Sequence, residues 1–380
     1  SRGPQAACCL DWQPRPRLPQ RPSADTITRL LTDSQKVWCV MWLYGAGGGL
    51  IAGALLALWL NRLIHHERES LQLPATTGAQ RAIRGGMVIV VSTTLFAALT
   101  WAELTARWLD TSEVQPSDFA RWLRLGYHLV LVALLIAATV IDLDCYMIPD
   151  AITRPGTVFG VLAAMAAGEL QIAHLWVDWG LDPLALSLHG PYIPAWFDQF
   201  RWLHALAWSA AGLLAGAGLT QLVRVVSSRL LGQEAMGFGD VTLIAMVCSF
   251  LGWQATVLTF LLAPLFGLLL AMPAQFLLRK PYLPYGPYLS LAAVTVLFAW
   301  GSLWRQTRVI FSDFLGMFIL AAIASAALIG LLTLIRLYRS IPVRRTAPVN
   351  REAEENVSVN AKEAIESMRI DSGKDAISEE

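Results

Sequence analysis

Long apolar runs separated by short polar or basic segments make up most of this chain. Each run supplies all or most of the apolar residues that a helix needs to cross a bilayer, and only helices or closed barrels can do so. The runs cover about residues 38–60, 86–107, 124–141, 155–170, 202–226, 240–253, 255–278, 285–301 and 313–336. The predicted fold class is therefore all-α: a polytopic helical membrane protein with about eight to nine transmembrane helices.

The composition agrees with this class and excludes others. Of the 380 residues, 55% are hydrophobic and 15% are charged, and 15 are Trp. The net charge is +1 and no basic stripe with interleaved aromatic residues occurs, so we expect no nucleic-acid partner. The 5 cysteines have neither paired zinc-site spacing nor a disulfide pattern, so we predict no metal and no cofactor.

The basic segments predict an orientation in the membrane. Arginine and lysine concentrate in 61–85, 227–239, 279–284 and the start of the C-terminal segment, and nine crossings place these four on one side. Short basic loops remain in the cytoplasm. The predicted topology therefore has the N-terminus outside and the C-terminus inside. The intervening segment 171–201, rich in aromatic residues, is predicted to be an interfacial, outward-facing loop or amphipathic element.

Two acidic residues stand at one predicted boundary of the membrane. Asp142 ends the third run, and Asp240 opens the sixth in the sequence Gly237-Phe-Gly-Asp240. Ionisable residues at membrane depth are costly and are functional candidates by default. The two glycines indicate a tight turn or a close approach of another chain.

Paired carboxyls have a specific chemistry. Two of them held a few ångströms apart cannot both ionise easily, so the pair shares a proton. The ionised member can activate water, while the protonated member can polarise a carbonyl or protonate a leaving amine. This is the chemistry of aspartic proteases. For each acid alone the alternative is a helix cap or a solvated loop charge, and this applies above all to Asp144 and Asp150 beside Pro149.

Two other patterns have structural interpretations. The glycines at 45–49 are not followed by Gly-Lys-Ser/Thr, so they predict close helix packing instead of a phosphate loop. Glu103 precedes Arg107 by one helical turn, which predicts a local ion pair.

Three sequence blocks together resemble the type IV prepilin peptidase family, the membrane aspartic peptidases of the G-x-G-D group. The first block ends the third run and closes with Ile-Pro-Asp, the second carries Gly-Phe-Gly-Asp through to Leu-Gly-Trp, and the third contains Pro-Tyr-Gly-Pro. They are Asp142–Asp150, Glu234–Trp253 and Leu283–Ser290. The resemblance covers roughly residues 125–300.

The resemblance implies roles for the matching positions. Asp142 and Asp240 would be catalytic, and the remaining positions would bind substrate or support the site. These are Gly237, Gly239, Asp144, Asp150 and Glu234. We also expect the last three, being acidic, to attract a basic leader segment.

The resemblance further implies an activity. A membrane aspartic endopeptidase would cleave the short basic leader of type IV prepilin-like or pseudopilin substrates after a Gly at the cytoplasmic membrane face. The substrate's N-terminal helix would lie in the lipid bilayer. The implied location is the bacterial inner membrane, as a multi-pass protein with its active site facing the cytoplasm.

One departure from the family and two alternatives remain. The segment 61–85 lacks the cysteine-rich insert of many members, which argues against N-methyltransferase activity and against zinc. A proton-coupled secondary transporter could instead use the two aspartates as a relay, although no repeat symmetry supports it. A catalytically silent scaffold for pilus or secretion assembly is the third reading.

The predicted regions follow from these features. They are a polar, disordered tail at 1–35, N-terminal membrane helices with a short basic loop at 36–123, a peptidase-like catalytic membrane core at 124–300, a C-terminal membrane helix at 301–338 and a charged, disordered tail at 339–380.

Overall fold

The computed structural model describes residues 24–179, 192–234, 236–271, 273 and 284–340. The helices are α1 (Ala24–Ser70), α2 (Gly78–Thr100), α3 (Asp118–Cys145), α4 (Asp150–Ala167), α5 (Trp196–Gln199), α6 (Arg201–Leu231), α7 (Phe238–Phe266), α8 (Gly286–Ser312) and α9 (Phe314–Ser340). Short π-helical turns, Trp101–Thr105 and Gly267–Ala271, extend α2 and α7. Within the described residues the only β pairing is an isolated bridge between Asp178 and Tyr192, so the all-α class is confirmed.

The described residues cover the two ends of the predicted regions only in part. Helix α1 already begins at Ala24, inside the predicted tail 1–35, while 1–23 and 341–380 lie outside the described residues. By its contacts the chain splits into two compact units, Ser1–Ala326 and Ala327–Glu380. All features below belong to the first unit.

Seven helices among the described residues are long and apolar enough to cross a membrane. The difference from the eight to nine predicted crossings has two sources. Helix α4, at the fourth predicted run, has 18 residues and is not among the seven. The sixth and seventh predicted runs count as one element, Phe238–Leu270, and the end of the seventh run falls on residues that are not all described.

That element turns back on itself at Gly252. Gly252 is non-helical, with φ 76° and ψ 172°. A straight helix would separate Asp240 from Gly267 by about 40 Å at about 1.5 Å per residue. Both residues nevertheless lie near the start of α8, because the Asp240 charge acts on Tyr285 while a Cβ on Gly267 would lie 3.9 Å from the Tyr288 ring. The two segments 238–251 and 253–266 therefore run in opposite directions, as the two predicted runs require.

Glycines on α1 allow close packing against α2. A Cβ at Gly45 would lie 2.8 Å from the Cα of Ala97, and a Cβ at Gly49 would lie 2.8 Å from the Cα of Thr93. These glycines are one helical turn apart, so they form one face. The structure thus agrees with the packing interpretation of residues 45–49.

Several helix ends meet at one end of the first unit, which we call the aspartate end. They include the C-terminal ends of α1 and α3 and the N-terminal ends of α2, α4, α7 and α8. Arg68 of α1 and Arg84 of α2 both contact Asp144 of α3. This arrangement brings Asp142 and Asp240 to the same end of the helices, as the sequence predicted.

The segment after α4 is more buried than the sequence indicated. Residues 170–174 are buried, although 171–201 was predicted to be an interfacial, outward-facing loop or amphipathic element. The backbone carbonyls explain this: Ile172 accepts from the Trp300 indole at 2.8 Å and His174 from the Gln254 amide at 2.7 Å. This part of the segment therefore packs against the helices at the end of the first unit that lies opposite the aspartate end. Residues 180–191 lie outside the described residues.

Candidate active site

Asp142 lies in the last turn of α3 and is only 4% exposed. Its Oδ2 accepts a hydrogen bond from the backbone N–H of Gly286 at 3.0 Å. Among the residues that the structure describes, no arginine, lysine or histidine forms an ion pair with it. A buried carboxyl that lacks a cationic partner is costly for the fold. Asp142 therefore has the environment expected of a residue retained for function.

Gly286 is essential to the environment of Asp142. It is the first residue of α8, so its N–H belongs to the free donors at a helix N-terminus, where negative charge is favoured. A Cβ at this position would lie 2.4 Å from Asp142 Oδ2 and 3.1 Å from Ile148 Cδ1. Any side chain would therefore push the carboxyl away from the donor.

Asp240 occupies the first turn of α7, three residues after the N-cap residue Gly237. Its carboxyl lies beside the Gly237 backbone and close enough to Asp142 for the charge of one to act on the other. Gly239 lets this turn approach the loop after α3, because a Cβ there would lie 3.2 Å from the Ile148 Cβ. Both predicted loop glycines thus lie beside the aspartate pair.

Tyr285 lies beside Asp240 and was not selected from the sequence. Burial raises the pKa of its hydroxyl, and the nearby Asp240 carboxylate raises this pKa further. The phenol is therefore protonated at neutral pH and can donate a hydrogen bond within the site. Tyr285 and Gly286 both belong to the Pro-Tyr-Gly-Pro block at 284–287, so the block was visible in the sequence although its contacts were not.

The three acidic residues predicted to support the site already have arginine partners. Asp144 Oδ2 contacts Arg68 at 3.1 Å and Arg84 at 3.2 Å. On the exposed surface Asp150 pairs with Arg154 and Glu234 pairs with Arg224. They therefore surround the site as neutralised pairs, which weakens the expectation that they attract a basic leader.

The two arginines on Asp144 hold the first two helices against the third. Arg84 also donates to Asn61 of α1, with Nη2 2.7 Å from Oδ1, and Arg68 donates to the Pro74 carbonyl. The sequence indicated only a basic loop here. The arginines of this loop predicted the orientation of the chain in the membrane, and nothing in the pattern indicated that they contact Asp144.

A second buried charged cluster lies at the opposite end, between α3 and the extension of α2. Glu103 and Arg124 are both 0% exposed and pair at 2.6 Å. His128 Nδ1 lies 3.2 Å from the other oxygen of Glu103. Arg124 also contacts Asp110, at 2.7 Å. Every carboxyl of this cluster therefore has an arginine beside it.

The predicted ion pair between Glu103 and Arg107 was wrong, because Glu103 pairs with Arg124 and His128 instead. The helix ends before Arg107, which has φ 52° in the left-handed region. Its side chain is therefore displaced from the helical face that spacing alone would give it.

The chemistry available at the aspartate end is acid–base chemistry. Among the described residues no group of three or more His, Cys, Asp or Glu side chains could hold a metal ion. The groups that the aspartate end offers are the carboxyls of Asp142 and Asp240, the backbone N–H of Gly286 and the protonated phenol of Tyr285. Such groups can hold a water molecule, remove its proton and return a proton to a leaving group.

Comparison with known proteins finds one family model that matches the part of the chain carrying both aspartates. Residues 129–272 match the model of the Type IV leader peptidase family. The range includes both aspartates and both glycines, whereas Tyr285 and Gly286 lie beyond it. No solved structure matches this chain.

Two of the similar curated proteins share the same name. The prepilin leader peptidase/N-methyltransferase of Aeromonas salmonicida (strain A449) is 30% identical over 177 residues, 46% of this chain and 48% of that protein. The one from Pseudomonas aeruginosa is 28% identical over 193 residues, 50% of this chain and 54% of that protein. This chain spans about half the length of the curated relatives it matches. The matches bear out, over residues 129–272, the resemblance to this family that the sequence blocks predicted.

Proposed function

We propose that this chain, whose residues 129–272 match the type IV leader peptidase family, is a membrane aspartic endopeptidase. Its substrates are type IV prepilin-like or pseudopilin proteins, and it removes their short basic leader after a Gly at the cytoplasmic membrane face. The relatives' names and the environment of the aspartate pair support this proposal.

One observation carries the proposal: two acids from distant sequence blocks meet at the same end of the helices, and no described residue gives either of them a cationic partner. Asp142 comes from the end of α3 and Asp240 from the start of α7. The charge of Asp142 acts on Asp240. Two such carboxyls share a proton because ionising both is unfavourable.

The reaction follows from this shared proton. The ionised carboxyl removes a proton from water while the water oxygen bonds to the scissile carbonyl carbon. The protonated carboxyl polarises the carbonyl oxygen and then supplies a proton to the departing amine as the C–N bond breaks. The Gly286 N–H stabilises negative charge on Asp142. The two aspartates act as a unit, so the base and acid roles belong to the pair.

The position of the pair suits a substrate that is itself in the membrane. Asp142 ends one candidate membrane span and Asp240 begins another. A peptide bond just before a hydrophobic helix would therefore reach the carboxyls without leaving the bilayer boundary. Basic segments at this end support a cytoplasmic orientation, including Arg68 and Arg84.

The transporter alternative receives less support from this geometry. A proton relay needs acids at successive depths, with solvent reaching one from each side of the membrane. Asp142 and Asp240 lie at the same end. The buried acid at the opposite end, Glu103, is neutralised by Arg124.

The test is leader removal by variants expressed with a prepilin-like substrate. We expect Asp142→Asn and Asp240→Asn each to reduce cleavage at least about 10³-fold, because neither can then act in a shared-proton pair. Asp118→Asn is the matched control, since this acid is exposed and paired with Arg121, and it should retain cleavage. Cleavage by either variant of the pair at the unmodified rate would refute the proposal.

A further inference from the structure

An apolar groove begins beside the aspartate pair, between α2, α3 and α8. Its cavity has a volume of about 870 Å³, and at the aspartate end its lining includes Arg84, Asp144, Pro287 and Tyr288. The lining also includes Leu143, which follows Asp142 in the chain, and Pro287 follows Gly286. The groove therefore shares its wall with the candidate active site.

The groove continues to the opposite end of the helices. A second cavity of about 970 Å³ shares Leu95 and Val294 with the first. Its far end is lined by three arginines, Arg107, Arg305 and Arg308, and by Asp110, whose carboxylate is already paired with Arg121 and Arg124. The whole groove thus has an active-site end, an apolar middle and a basic end.

The length of the groove matches a membrane crossing. Pro287 and Arg308, both on α8, line its two ends and are roughly 30 Å apart at about 1.5 Å per residue. This is about the thickness of the hydrocarbon core of a bilayer. Apolar side chains of its wall are exposed, among them Met87, Val91 and Leu291. An apolar partner within the bilayer therefore has a continuous surface to contact.

We propose that this groove binds the hydrophobic N-terminal helix of the substrate, with the helix N-terminus at the aspartate end. This inference rests on the proposed function, because it assigns a place to the part of the substrate that follows the cleavage site. The groove then aligns the peptide bond just before the helix with Asp142 and Asp240. The position of the bound helix then determines which peptide bond is cleaved.

Charge complementarity supports this occupant and its direction. A helix that starts at the aspartate end presents its last, unpaired carbonyls at the other end, where the helix dipole is negative. Arg107, Arg305 and Arg308 line that end. Arginine side chains beside a helix C-terminus are stabilising, so the basic end favours this direction over the reverse.

The experiment compares two substrates in a lipid-reconstituted assay. One is a full-length prepilin-like protein, and the other is a short peptide that spans the cleavage site but lacks the hydrophobic helix. We expect Val91→Trp to raise KM for the full-length substrate about tenfold or more and to change KM for the short peptide less than about twofold. Val91 is 44% exposed in the groove, so the larger ring fills space that the helix would need.

Val158→Trp is the matched control. This valine is on α4, is 56% exposed and lines neither cavity. We expect it to cleave both substrates as the unmodified protein does. A second variant avoids a folding defect: Val91→Cys can be labelled with a bulky maleimide after the protein has folded. The label is applied in a background in which Cys8, Cys9 and Cys39 are replaced by Ser, and it should then select the new thiol because the native Cys145 and Cys248 are buried.

The outcomes separate this inference from the proposed function. Unchanged KM for the full-length substrate, in both Val91→Trp and labelled Val91→Cys, would overturn the groove assignment while leaving peptidase activity established. An equal loss on both substrates would also overturn it and would indicate a lipid or a structural role for the groove. If the unmodified protein cleaves neither substrate, or if Asp142→Asn cleaves both, the proposed function itself fails.

Discussion

The two ends of the helices both bury acidic residues, but they do so in opposite ways. At the opposite end Glu103 is fully buried and contacts Arg124 and His128. At the aspartate end Asp142 is almost as buried, yet its described hydrogen bond comes from one backbone N–H, that of Gly286. The first arrangement satisfies its charges, whereas the second leaves the charge of an acid incompletely compensated.

This difference separates a structural acid from a candidate catalytic one. Removing one member of a buried ion pair leaves the other charge without compensation, which is strongly destabilising. Neutralising an acid that has no cationic partner leaves no charge behind. The Glu103 cluster should therefore govern stability, and the aspartate pair should govern activity. Each prediction below changes one side of this comparison.

The largest effect on stability is expected at the opposite end. Arg124→Met leaves Glu103 buried without its arginine, and we expect the free energy of unfolding to fall by about 3–5 kcal/mol. The measurement is unfolding in detergent, together with cleavage per folded molecule, which should be retained. Arg154→Met is the control, since its exposed pair with Asp150 should contribute less than about 1 kcal/mol. Equal losses in both variants would refute the assigned role of the buried cluster.

The next effect concerns the geometry of the aspartate pair. Gly286→Ala places a Cβ 2.4 Å from Asp142 Oδ2, so the carboxyl must move away. Displacing a catalytic carboxyl by about 1 Å can cost about 10²-fold, and we expect that loss in kcat. Gly218→Ala, on α6 with no neighbour within 4 Å, should cleave normally. Full activity in Gly286→Ala would show that the Gly286 contact does not position Asp142.

A smaller effect is expected for the arginines on Asp144. Arg84→Gln removes one of two ion pairs in a partly exposed site, so we expect a loss of about 1 kcal/mol or less. Cleavage should fall by no more than about fivefold, since Arg68 still contacts Asp144. The Arg68→Gln/Arg84→Gln double variant should lose more than the sum of the single variants. Strict additivity would mean that Asp144 does not link the two arginines.

The smallest effect concerns the exposed acids. Glu234→Gln leaves the aspartate pair untouched and breaks only an exposed pair with Arg224. We expect cleavage within about twofold of the unmodified protein, because exposed pairs contribute little. A large rise in KM for a basic leader would restore the sequence-based expectation that this acid attracts the leader.

The sequence predicted those features of the fold and the site that depend on local pattern. The apolar runs predicted most of the helices, with a reversal between runs 240–253 and 255–278 that the structure has at Gly252, and the spaced blocks indicated the two aspartates. The contacts between distant residues were not visible. Glu103 has a nearby arginine at helical spacing, but its partner Arg124 comes from another helix. Likewise the Pro-Tyr-Gly-Pro block was recognised, but the N–H that Gly286 directs at Asp142 depends on how α8 packs against α3.

The most direct test measures stability and cleavage together in Asp142→Asn and Glu103→Gln. We predict that Asp142→Asn loses cleavage while its unfolding free energy is unchanged or higher, because an uncompensated carboxyl has been removed. We predict that Glu103→Gln is destabilised yet cleaves normally per folded molecule, because only the buried pair with Arg124 has been broken. Cleavage by a folded Asp142→Asn protein, or a stable but inactive Glu103→Gln protein, would contradict the account.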